Sequence, residues 1–206
     1  MLASAAGETV GPALRDTPDP SPPPFGAAAL AGRLVELSGT GAVSSLSLAC
    51  SVLREAQERG DPVAWVGTTH SVFHAPDVEE GGVDLAGLVV VWVPRVADVG
   101  RAADRLVRSG AFGVVVMDLG TEGFLPPPLE SRLAGLALRH ATTLLCLTDK
   151  PASSPSVGAL TSLRAESHLF RLAPGQFQCG LTALKDKRHG PGWSHAETRR
   201  GPQGLR

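Results

Sequence analysis

The feature that most constrains this chain is a set of short apolar runs, each four to six residues long, spaced along its length. They are Arg33 to Leu37, Val63 to Val66, Leu88 to Val93, Val114 to Asp118 and Thr143 to Leu147. Runs that short and that continuously apolar suit strands buried on both faces, as in a parallel sheet covered by helices. The stretches between them supply the helices. Leu46, Ala49, Cys50, Leu53 and Ala56 recur at helical spacing, as do Val99, Ala102, Ala103, Leu106 and Val107, and then Leu129, Leu133, Leu136 and Ala137. Pro126-Pro127-Pro128 leads into the last of these helices, where a missing backbone N–H costs little. His168 to Leu172 and Phe177 to Leu184 flank Ala173-Pro174-Gly175-Gln176 and read as two strands joined by a turn.

The chain is 206 residues long with a formal charge of -1, enough for one α/β core with tails and without a global field to attract a polyanion. Residues 1–24 are rich in proline and read as a flexible lead-in. Residues 188–206 are rich in glycine and basic residues and read as a disordered tail, leaving 25–187 as the domain. Cys50, Cys146 and Cys179 are far apart and form no C-x-x-C pair, so neither a disulfide framework nor a zinc site is expected. No run reaches the ~18 to 20 apolar residues of a membrane span, and no secretory leader is visible, so a cytoplasmic location is expected.

Between the first strand and the first long helix lies Gly39-Thr40-Gly41-Ala42-Val43-Ser44-Ser45-Leu46. A phosphate-binding loop at this place needs G-x-x-x-x-G-K-[ST], in which the second Gly lets backbone N–H groups close on phosphate, the Lys neutralises it and the hydroxyl holds Mg²⁺. Gly39 is kept, but Ser44, Ser45 and Leu46 stand in the other three slots. The setting of a nucleotide site is present without its charge or its metal ligand, so no ATP site, catalytic residue, metal or cofactor is expected.

The blocks around this loop resemble bacterial RecA recombinases. Gly32-Arg33-Leu34-Val35-Glu36-Leu37-Ser38-Gly39 is similar to "GRIVEIYG", and Gly60 to Val66 to the second core strand. Gly82 to Leu88 is similar to "GVDIDNLL", and Val107 to Asp118 to "LVRSGAVDVVVVDS". The resemblance covers roughly residues 25 to 185. It implies a RecA-like core, a mostly parallel sheet flanked by helices and closed by a C-terminal antiparallel hairpin. By the same resemblance, Thr69 stands where the recombinases carry the Glu that activates water, and Thr has no pKa suited to that role. The neighbouring His70 has no identified partner. Asp118 would support Mg²⁺ only opposite a working phosphate loop. The two loops that hold single-stranded DNA in the recombinases correspond to Gly120 to Pro128 and Lys150 to Val157, which carry almost no basic charge. Lys185-Asp186-Lys187 resembles the "KNK" whose lysines reach ATP across a subunit junction.

A recombinase-like core without a phosphate loop resembles most the ImuA family of bacterial error-prone translesion synthesis. That resemblance implies a monomeric adaptor binding RecA and the polymerase-like ImuB, touching DNA only indirectly. Two alternatives stay open: a SulA-like division inhibitor that binds FtsZ, and a DNA-binding protein with weak ATPase acting through its tail. Candidate partner-binding residues are Arg101, Arg105 and Arg108, which share one helix face, and Trp193, Arg199 and Arg200 in the tail. The competing reading of the arginine face is a solvated surface paired locally with Asp104.

Overall fold

The computed structural model describes residues 25–121 and 123–200; the lead-in 1–24 lies outside them. The apolar runs form β1 (Leu34–Gly39), β2 (Val63–Gly67), β3 (Leu88–Trp92), β4 (Val114–Gly120) and β5 (Thr143–Asp149). Each of the last two continues two residues past its apolar stretch. β6 (Leu163–Ala173) and β7 (Gln176–Asp186) make the hairpin, and β8 (Ser194–Arg200) follows. The helices are α1 (Ala27–Leu30), α2 (Ser45–Glu58), α3 (Ala75–Glu80), α4 (Val96–Arg108) and α5 (Pro127–His140), with a 3₁₀ turn at Leu85–Gly87.

All strands join one eight-stranded sheet in the order β3-β2-β4-β5-β1-β6-β7-β8. Pairings from β3 to β6 are parallel; β6 with β7 and β7 with β8 are antiparallel. The expected mixed α/β fold with a mostly parallel sheet and a closing antiparallel hairpin is therefore what the chain adopts. Successive residues of a strand face opposite sides of the sheet. Val35, Leu37, Trp65, Val114, Val116 and Leu145 thus join α2 in one core, while Leu34, Ala64, Val115, Met117 and Leu144 join α4 and α5 in the other. Cys50, Cys146 and Cys179 are free and buried, the first two in these layers, and burial pushes the Cys50 thiol up to about 11.

Of the residues 188–206 read as a disordered tail, 188–200 are described and include a strand, while 201–206 lie outside the described residues. Ser194 to Arg200 pair along β7 as an edge strand. Alternate residues turn toward α2: Trp193 packs against the core, and Glu197 accepts hydrogen bonds from both Ser51 and Arg199. The hinge of this hairpin is Asp186. Its buried carboxylate accepts from Arg33 Nη2 at 2.6 Å, Trp193 Nε1 at 3.1 Å and the Arg188 backbone N–H at 2.8 Å, with His189 Nδ1 at 3.1 Å. Burial opposes ionisation of Asp186, but the Arg188 N–H, His189 and Arg33 together hold it below the usual carboxylate value.

Removing one partner of a buried ion pair leaves the other charge uncompensated, at a cost of about 3 to 5 kcal/mol. Asp186→Ala should lower the free energy of unfolding by that amount in urea, read by tryptophan fluorescence; a loss under about 1 kcal/mol would contradict the role given to Asp186. Because its folded pKa is depressed, the contribution of Asp186 is present above the unfolded value of about 3.9 and declines as pH falls through the lower folded value. Wild-type stability should accordingly fall in acid more steeply than that of Asp186→Ala.

Candidate functional site

The loop from β1 to α2 lies over the carboxyl ends of the central parallel strands, the usual place for ligands in an open α/β sheet. Thr40 and Ala42 are exposed, but its two serines point into the protein. Ser44 is buried, and its hydroxyl lies 2.9 Å from the His168 carbonyl and 3.0 Å from that of Gly180. Ser45 shares a 2.6 Å hydrogen bond with Ser167. The Leu169 N–H donates to the Ala42 carbonyl at 3.2 Å, so three successive contacts stitch the loop to β6 and β7. Gly39 is needed for this closeness: a Cβ there would lie 2.6 Å from Val43 Cγ1 and 2.9 Å from the Ser167 carbonyl oxygen. Leu46 is half-buried beside the same opening.

The loop borders a cavity of about 280 Å³, lined in part by Val43, Leu46, Val72, Asp118, Thr148 and Asp149. A second cavity of about 290 Å³ adjoins it, sharing Val72, Asp118, Gly120 and Asp149 and adding Thr68, His70 and Ser71. Neither has a lysine or arginine among its described lining residues, and both contain two carboxylates. Asp118 is itself occupied: it accepts from the Ser71 hydroxyl, the Val72 N–H at 2.7 Å and the Gly120 N–H at 3.2 Å, which fixes the loop after β2 against β4. Thr69 sits in an exposed turn of that loop and lines neither cavity, whereas His70 lines the second. Among the described residues no group of three or more His, Cys, Asp or Glu is placed to hold a metal ion.

The cations beside the β5–β6 loop also face inward. Lys150 Nζ lies 2.8 Å from Glu36, a fully buried carboxylate on β1 that also accepts from the Thr148 hydroxyl at 3.0 Å and the Val157 N–H at 2.9 Å. Arg164 approaches Glu36 at 3.8 Å and donates to the carbonyls of Pro151 and Ser154. Glu130, buried on α5, accepts from the Leu160 and Thr161 N–H groups. These carboxylates fold the β5–β6 loop onto the body of the domain. Sequence reading missed both, although an acidic residue inside the apolar run of β1 was the available signal. Lys185 and Lys187 each donate to the Ala159 carbonyl, at 3.2 and 3.1 Å.

The candidate docking residues separate into two groups. Arg101, Arg105 and Arg108 are exposed on α4; Arg101 lies 3.6 Å from Asp98, Arg108 lies 3.0 Å from Asp104, and Arg105 has no ion pair among the described residues. Trp193 and Arg199, read as candidate partner contacts, are turned inward: the indole donates to Asp186 and packs on the core, and the guanidinium pairs with Glu197 at 2.6 Å and with Ser51. Arg200 is exposed on the outward register.

Comparison with known proteins is consistent with the fold. The chain is 32% identical to Protein RecA of Rhizobium rhizogenes over 122 residues, 54% of this chain and 34% of that protein. Protein RecA of Brucella anthropi matches with the same identity and coverage. The chain thus spans about a third of the length of these curated relatives, to which it is related over the shared stretch. No protein-family model matches it. Among the described residues no helix is long and apolar enough to cross a membrane.

Removing the Ser44 hydroxyl takes away the single donor that lies between the His168 and Gly180 carbonyls, which costs about 1 to 3 kcal/mol. Ser44→Ala should destabilise the protein by that amount in chemical denaturation, while an exposed change such as Arg200→Ala should fall within about 0.5 kcal/mol of wild type. Equal, negligible effects of the two would mean that the loop is not held through Ser44.

Proposed function

We propose that this is a RecA-related domain that works by binding proteins, with neither ATP binding nor catalysis of its own. The observation that carries the reading is the β1–α2 loop. In a phosphate-binding loop, backbone N–H groups, a lysine and a metal-binding hydroxyl are aimed at the ligand. Here Ser44 and Ser45 are aimed at β6 and β7, Leu46 carries no oxygen, and the adjoining cavity presents Asp118 and Asp149, which repel a polyphosphate.

The partners proposed follow from the family resemblance: RecA, and the polymerase-like ImuB of error-prone translesion synthesis, as for an ImuA-type adaptor in the response to DNA damage. The domain acts as a monomer in the cytoplasm and meets DNA through its partners. A SulA-like role toward FtsZ is the rival protein-binding reading, and pull-downs against RecA, ImuB and FtsZ from the same organism separate them. Retention of RecA and ImuB but not FtsZ is expected; retention of FtsZ alone would favour the rival.

Calorimetric titration with Mg-ATP should give no saturable heat, and sedimentation should show no ATP-dependent polymer. A micromolar ATP site would overturn the reading. Ser45→Lys alone should restore neither binding nor hydrolysis, because Leu46 still lacks the Mg²⁺ ligand and Thr69 is no general base.

A further inference from the structure

α4 and α5 pack side by side on the face of the sheet opposite α2, and between their C-terminal halves runs an open groove of about 460 Å³. It is lined by Arg108 from α4 and by Arg132, Leu136, Arg139 and His140 from α5. Two of these arginines share Asp104, buried to 6% exposure, with both carboxylate oxygens in use: Oδ2 accepts from Arg108 Nε at 3.0 Å and Oδ1 from Arg132 Nε at 2.7 Å. Each arginine is therefore anchored through Nε. Among the described residues, the terminal Nη groups of both donate to nothing, and Arg139 has no ion pair or hydrogen bond. One carboxylate thus orients two guanidinium forks whose four remaining Nη–H₂ groups are unspent.

We propose that this groove is a docking site for an acidic segment of a protein partner, its carboxylates gripped by the paired forks of Arg108 and Arg132 and its apolar side chains resting on Leu136. The proposal rests on the reading of the domain as a protein-binding module and assigns that module a surface and a partner chemistry. Cations near helix C-termini are favourable in themselves, which accounts for Arg108, Arg139 and His140. It does not account for Arg132, mid-helix on α5, or for a buried carboxylate that joins the two helices. Guanidinium forks fixed in advance lose little freedom on binding, and they match carboxylates two hydrogen bonds at a time. Nucleic acid fits the groove less well, because among the described lining residues His140 supplies the only ring and there is no Phe, Trp or Tyr on which bases would stack.

The test is fluorescence anisotropy of the full chain with a labelled peptide of alternating Glu and Leu, beside its Gln/Leu counterpart and a labelled single-stranded oligonucleotide. The Glu/Leu peptide should bind saturably, more weakly as salt is raised, and more tightly than either control. Arg132→Gln should weaken it about tenfold, whereas Arg171→Gln, exposed on β6 and outside the groove, should not change it. Asp104→Asn decides between a built clamp and a diffuse positive field. It makes the groove more positive yet frees the forks, so the clamp predicts weaker binding and a diffuse field predicts tighter binding. Should Asp104→Asn fail a thermal-unfolding check, Arg132→Lys answers the same question, since it keeps the charge and loses the fork; it too should weaken binding. Tighter or unchanged binding by these variants would overturn the proposal, as would absence of peptide binding or an oligonucleotide that binds as well as the peptide. Failure here beside intact pull-down of a partner would refute the groove alone. An ATP site found in the same preparation would instead refute the function proposed above and leave the groove standing.

Discussion

A polar group taken out of water must find a partner inside the protein, and the buried hydroxyls and carboxylates at the carboxyl end of β1 govern much of this structure. Ser44 and Ser45 meet that demand on β6 and β7, and Glu36 meets it on Lys150, Thr148 and Val157. Groups that a nucleotide site would aim at its ligand are turned inward and joined to each other. The loop that would cradle phosphate becomes a tie between the parallel and antiparallel parts of the sheet, and the loop after β5 becomes a cover over β1. In the function proposed, loss of nucleotide chemistry and gain of internal connection are two descriptions of one set of hydrogen bonds.

The antiparallel end of the sheet follows the same rule. Arg33, just before β1, reaches across to Asp186 at the end of β7, and Asp186 in turn holds Trp193 and the turn into β8. β8 is then pinned to α2 through Glu197, Arg199 and Ser51. Burial opposes ionisation of Glu197 as well, but the Arg199 guanidinium holds its carboxyl below the usual range. With both ends of β1 fastened, the surfaces left for partners are those the core does not need, among them the outer sides of α4 and α5.

The five parallel strands were legible because burial on both faces makes a strand continuously apolar, and the lost phosphate loop was legible because its pattern is local in sequence. β8 was not. Its inward residues, His195, Glu197 and Arg199, are polar and are accommodated by ion pairing instead of apolar packing, so the alternation that marks a half-buried strand was invisible. The start of α5 was read two residues late, since prolines at Pro127 and Pro128 occupy its first turn without breaking it. α3 was not foreseen: six residues with one buried side chain, Val78, give no periodicity to detect. The arginine face of α4 was visible as spacing, but its convergence with Arg132, 28 positions from Asp104, required the packing of two helices.

The central claim is that the β1–α2 loop is committed to the protein interior and closed to nucleotide. Amide chemical shifts of Gly39 to Leu46, followed by NMR while Mg-ATP is added, report on the loop's N–H groups directly. The account predicts that they stay unmoved up to millimolar nucleotide, with only the small shifts that added ions produce on exposed loops elsewhere. Saturable shifts concentrated at Ser44, Ser45 and Leu46 would contradict it, because they would mean that the loop can release β6 and β7 and close on phosphate.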